Sequence, residues 1–128
     1  MTISKAMQDA INEQIKNELF SAYLYLSMSA YFESLNMPGS AKWMRAQFAE
    51  EQMHALKMFD FVNDRGGRVS LKAIEQPQAE WKAPSAAWEN VLEHERKVTA
   101  LIHQLYAQAV TEKDYASQTF FAWFVTEQ

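Results

Sequence analysis

Residues 11–32 read INEQIKNELFSAYLYLSMSAYF, and the spacing within them decides the fold. Ile11, Ile15, Glu18, Ala22, Tyr25, Ser29 and Phe32 recur at alternating steps of four and three, which places all seven on one face of an α-helix. That face belongs to a core, and Glu18 points into it. Farther along, Trp88, Val91, Glu95, Val98, Ile102, Leu105 and Ala109 repeat the pattern, again with one acid in an apolar seam. Between the two stretches Glu51 and His54 stand at spacing i, i+3. An ionised carboxylate taken out of water loses much of its solvation unless it is paired or bound to a cation, so several acids converging on one core imply a cation.

A chain of 128 residues that is 48% apolar and 13% aromatic is long enough for one domain with a sizeable core. Its three Gly and three Pro cluster between the long periodic stretches, which favours helices over a turn-rich sandwich. Cysteine is absent, so no disulfide framework exists and a reducing cytoplasm is the simplest home. No signal segment opens the chain, and no apolar run is long enough to span a bilayer. The net charge of -4, with no cluster of Lys and Arg, argues against nucleic acid as a partner and is compatible with attracting cations.

Four helices are expected, over about 5–35, 41–65, 86–111 and 115–128. Ser4 caps the first, and Asn36-Met37-Pro38-Gly39 breaks the chain tightly after it, so the second helix should run antiparallel to the first. Met44, Phe48, Glu51, Ala55, Met58 and Val62 form the inner stripe of the second, which Gly66-Gly67 stops. Arg68 to Pro84 has no helical period and reads as a long crossover, which makes the second and third helices parallel. Ser85 is expected to cap the third helix and Asp114 the fourth, whose stripe is Ser117, Phe120, Phe121 and Phe124. The fourth is short beside the others and ends without a stop signal, so it is read as incomplete. The fold class is therefore all-α: one up-down-down-up four-helix bundle over residues 1–128, with a long crossover between helices 2 and 3.

Two metal ions held close together need anionic oxygens to bridge them, an imidazole to fix geometry, and open positions for water or oxygen. Glu51 and His54 leave one helix toward a common point, and Glu18 and Glu95 approach from neighbouring helices. A Glu-x-x-His pair alone is common on helix surfaces; its combination with two bundle-core acids is what points to metal. His94 and His103 fall off the inner stripe and read as surface residues. Tyr25, one heptad after Glu18, is either a core tyrosine or a reductant beside oxidising metal. Glu50 and Glu127 either face solvent or form an outer shell.

The stretches NELFSAYLYLSMSAYFES, FAEEQMHALKMFDFVNDRGG, ENVLEHERKVT and WFVTEQ resemble, in order, the first four helices of the bacterial non-haem ferritins. That resemblance implies an oxygen-dependent ferroxidase that stores iron as a ferric mineral, usually in a cage of twenty-four subunits. Carried over position by position, it implies that Glu18, Glu51 and His54 hold one iron, that Glu51 and Glu95 hold the second with Glu51 as the bridge, and that Gln128 orients water nearby. It further implies that Glu50 and Glu127 belong to an outer third iron site. Bacterioferritins carry a second Glu-x-x-His, where this chain has Val98 three residues after Glu95. Their haem-binding Met follows the bridging Glu, where this chain has Gln52, so no haem is expected. Starvation-type miniferritins place their metal between subunits, which does not need the single-chain set here.

The reading is an iron-storage subunit in the cytoplasm, with Fe(II) and O2 as substrates, a di-iron Fe2+/Fe3+ site and no membrane or nucleic-acid partner. It forms homo-oligomers: the twenty-four-subunit cage of the family, or a two-fold dimer through the outer faces of the first two helices if the chain is truly short. The alternatives are a structural or engineered truncated bundle with impaired chemistry, and a di-metal oxygenase acting on an organic substrate.

Overall fold

The computed structural model describes residues 2–128, all of whose regular structure is helical: α1 (Lys5–Ser34), α2 (Pro38–Asp64), α3 (Pro84–Glu112) and α4 (Tyr115–Glu127). The described residues form two compact units, one up to Ala87 and one from Trp88 to Gln128.

In the first unit α1 begins where a serine can begin it. Ser4 Oγ accepts a hydrogen bond from the Met7 backbone N–H at 3.0 Å and satisfies one of the free donors of the first turn. Neither Gly nor Pro interrupts the thirty residues that follow. All seven positions of the expected seam are buried, with Ile11, Tyr25 and Phe32 fully so. Asn36, at φ 57°, turns the chain. α2 then starts at Pro38, three residues earlier than its sequence suggests. Proline suits a first helical position, because its missing N–H would have no partner there in any case.

α1 and α2 pack along their lengths. The pairing is antiparallel: Ile3 N–H donates to Arg65 O at 3.0 Å at one end, and Ser29 Oγ donates to Ala41 O at 2.8 Å near the other. Gly66, at φ +74°, closes α2 in the left-handed conformation that glycine adopts without strain.

Residues 67–83 carry neither helix nor strand and travel the length of α1. Asn12 Nδ2 donates to Arg68 O at 3.0 Å and its Oδ1 accepts from Ser70 N–H at 3.3 Å, which pins the start of the crossover. Lys72 pairs with Glu13 at 2.7 Å, and Ser27 Oγ donates to Gln78 O at 2.6 Å. The Trp81 ring packs 5.2 Å from that of Tyr31. A segment fixed first beside residue 12 and last beside residue 31 spans about 28 Å of helix at 1.5 Å per residue, which is the task a long crossover was expected to perform.

α3 begins at Pro84, so Ser85 lies inside the helix and does not cap it. The preference of proline for a first helical position again decides the boundary. In the second unit Val91, Val98, Ile102, Leu105 and Ala109 are buried as the seam requires, whereas Trp88 is exposed and Glu95 half-buried. Asp114 caps α4, accepting from Ser117 N–H at 3.1 Å and from Ser117 Oγ at 2.7 Å. Phe120, Phe121, Trp123 and Phe124 then stack ring on ring, with centroids 4.8–5.9 Å apart. None of the four helices is long and apolar enough to cross a membrane.

Candidate metal centre

Burial of one seam of α1 against the stripe of α2 carries three ionisable side chains out of water together. Glu18 is 1% exposed and Glu51 and His54 are each 4% exposed. Each offers one ligand atom, and the three atoms lie within 4.8 Å of one another. The His54 Nδ1 is 3.4 Å from Glu51 Oε2 and 3.8 Å from Glu18 Oε2. The i, i+3 spacing on α2 brings Glu51 and His54 together, and the antiparallel partner supplies Glu18.

The electrostatics show what such a cluster costs. Burial drives the Glu51 carboxyl up, to about 8, and the adjacent Glu18 adds to the shift while His54 opposes it. Burial works against the His54 imidazolium too, but its contacts with Glu18 and Glu51 outweigh that effect and raise it to about 10. For Glu18, burial pushes upward and is overcome, chiefly by His54, so that this carboxyl sits below its usual range. The three side chains thus share protons among themselves. Even so, Glu18 Oε2 and Glu51 Oε2, both fully shielded, accept no well-formed hydrogen bond, and His54 Nδ1 stands off them at 3.8 and 3.4 Å. Two shielded carboxylate oxygens with no close hydrogen bond, beside an imidazole, are the donor set that a divalent cation takes, and the cluster fits a metal.

A residue absent from the expected set also contributes. Gln14, one turn before Glu18 and 3% exposed, donates from Nε2 to Glu18 Oε1 at 3.2 Å. The i, i+4 relation to a core acid was the signal that could have found it. Tyr25 lies on the same seam and is fully buried, and Glu50 is half-buried on α2.

In the second unit Gln128 Nε2 approaches Glu95 Oε2 at 3.4 Å and Thr99 Oγ1 at 3.4 Å. The last residue therefore sits beside the acid of the α3 seam. Glu127 is exposed, Val98 is buried, and His103 is exposed as expected, whereas His94 is half-buried.

Residues 8–128 match the ferritin-like domain. The chain belongs to the ferritin family. Among curated ferritins it is 45% identical to a bacterial non-heme ferritin of Bacteroides fragilis over 126 residues, 98% of this chain and 79% of that protein. It is 35% identical to a probable bacterial non-heme ferritin-like protein of Haemophilus influenzae, covering 98% of this chain and 76% of that one. Among solved structures it is similar to an open pore ferritin from the hyperthermophilic archaeon Archaeoglobus fulgidus, with a TM-score of 0.97 and 54% identity over 98% of this chain and 78% of that one. The all-α four-helix fold class expected from the sequence is thereby established, and so is the resemblance to the bacterial non-haem ferritins.

Proposed function

We propose that this ferritin-family chain is an iron-storage subunit with ferroxidase activity, taking Fe(II) and O2 as substrates and passing Fe(III) to a mineral. The observation that carries the proposal is the buried Glu18, Glu51 and His54 cluster, with two shielded carboxylate oxygens that accept no well-formed hydrogen bond. In this reading those three side chains hold one iron, and Glu51 bridges to a second for which Glu95 on α3 is the further carboxylate. The two Fe(II) together give two electrons to O2, which takes up two protons and leaves as hydrogen peroxide, and the ferric product is favoured by the anionic oxygens. Gln128 orients solvent beside Glu95, and the buried Tyr25 is a reductant on the same seam as Glu18. Glu50 and Glu127 are proposed as outer iron ligands. Haem has no part in the proposal, because Gln52 stands where bacterioferritins carry Met.

We place this chemistry in the cytoplasm and in a homo-oligomer, on the strength of the absent cysteines and of the family resemblance. The decisive experiment is anaerobic loading with Fe(II), followed by metal analysis and then an oxygen pulse monitored by stopped-flow absorbance. Two irons bound per chain and rapid ferric absorbance are expected. A chain that binds no iron, or binds it without reacting, would leave the structural-bundle alternative standing.

A further inference from the structure

The cluster contains one carboxylate oxygen that is already taken, and the group that takes it has no ionisable chemistry of its own. Gln14 Nε2 donates to Glu18 Oε1, so a single oxygen of that carboxylate, Oε2, remains for the space shared with Glu51 and His54. The amide is itself fixed. Asn17 Nδ2 donates to Gln14 Oε1 at 3.3 Å, which assigns the oxygen end of the Gln14 amide and leaves its N–H₂ to face Glu18. Gln14 is buried to 3% exposure, where a glutamine without partners would be costly, and both ends of its amide are spoken for.

Resting on the iron-binding reading above, we propose that Gln14 is a positioning residue for the metal centre. It holds the Glu18 carboxylate in the rotamer that aims Oε2 inward, and the relay Asn17 to Gln14 to Glu18 sets that orientation before any ion arrives. A carboxylate with a free terminal torsion would pay the entropy of fixing it on each binding event. One whose second oxygen is already hydrogen-bonded is ordered in advance and presents a single oxygen, which favours monodentate over bidentate ligation from Glu18. Loss of a partner of this kind, one atom outside the ligand shell, typically lowers metal affinity 10–100-fold.

Anaerobic titration with Co(II), followed by calorimetry and by the visible d–d spectrum, tests this on the folded full chain. Wild type, Gln14→Met, Glu18→Gln and the double variant form a cycle. Methionine keeps the length and volume of the side chain and removes the donor. We expect Gln14→Met to weaken Co(II) binding by about 10-fold or more and to alter the d–d bands, because Glu18 is then free to chelate with both oxygens. In the Glu18→Gln background the same change should have less than about a twofold effect, since its target is gone. Gln14→Ala, at a helix position that alanine fills well, gives the same comparison if the methionine variant does not fold. Wild-type binding with a Gln14 effect within twofold, or an equal effect in both backgrounds, would overturn the inference while leaving the metal site intact. Failure of the wild type to bind Co(II) at all would overturn the iron-binding reading and this inference with it.

Discussion

Glu51 carries the heaviest demand of any single residue, because in the proposed chemistry one carboxylate lies between two dications whose mutual repulsion rises steeply at short range. Glu51→Ala should lower the rate of aerobic iron oxidation by more than about 100-fold, beyond the loss typical of partners outside the ligand shell, with the helical circular dichroism unchanged. Stopped-flow absorbance at wild-type rates in that variant would dismiss the bridging role. The protons shared within the cluster lead to a second expectation. A cation needs Glu51 ionised and His54 neutral, whereas burial raises Glu51 to about 8 and contact with the two carboxylates, against burial, raises His54 to about 10, so below pH 8 both protons must leave as the ion enters. Affinity for Co(II) should therefore rise with pH between about 6 and 8, by about tenfold per pH unit for each proton displaced. Calorimetry in two buffers of different ionisation enthalpy counts those protons, and an affinity independent of pH would contradict the charge assignment. Glu18, Glu51 and His54 were legible in the sequence because an acid in an apolar seam needs a reason. Gln14 was passed over because a neutral amide at a core position raises no such question.

At the scale of elements, periodicity identified the α1 seam without error and placed the caps at Ser4 and Asp114, since both depend on local chemistry. The helix starts at Pro38 and Pro84 were missed for an equally local reason: proline reads as a breaker, yet at a first helical position it breaks nothing. Trp88 shows another limit, because a period assigns a residue to a face and not to the depth at which that face is covered. Removing a cap should cost what a cap is worth. Asp114→Ala deletes the acceptor for Ser117 N–H and Ser117 Oγ and is expected to destabilise the fold by about 1 kcal/mol. Gly67→Ala should cost more, about 1–3 kcal/mol. A Cβ there would stand 2.8 Å from Ile3 Cγ2 and 2.9 Å from Val62 Cγ1, wedging the start of the chain off the end of α2. Thermal melts of the two variants check both values, and an unchanged melt for Gly67→Ala would mean that the first residues yield freely.

For the whole molecule, the fold class was readable because four amphipathic stretches and one long crossover admit few arrangements, and the match to an archaeal ferritin at a TM-score of 0.97 bears it out. Assembly was less readable, since the surfaces that join copies obey no internal period. The structure narrows where to look. Along the outer side of α1 and the crossover, Tyr23, Leu26, Leu71 and Ile74 are exposed by 45%, 37%, 67% and 38%. Tyr23, Leu26 and Ile74 also line a groove of about 530 Å³ together with Ser27, Ala30 and Pro77. Exposed large apolar side chains beside a groove suit a contact between copies, and an isologous contact with a second copy is the simplest closed way to cover them. The proposed homo-oligomer should therefore depend on this face of the first unit. Leu26→Glu places a charge in the groove at a position that is not part of the metal cluster. It is expected to shift the mass measured by light scattering to that of a smaller species while leaving the circular dichroism and Co(II) affinity as they were. Retention of the wild-type mass would move the contact elsewhere, and a wild-type mass of 14.8 kDa, the single chain, would refute self-association outright.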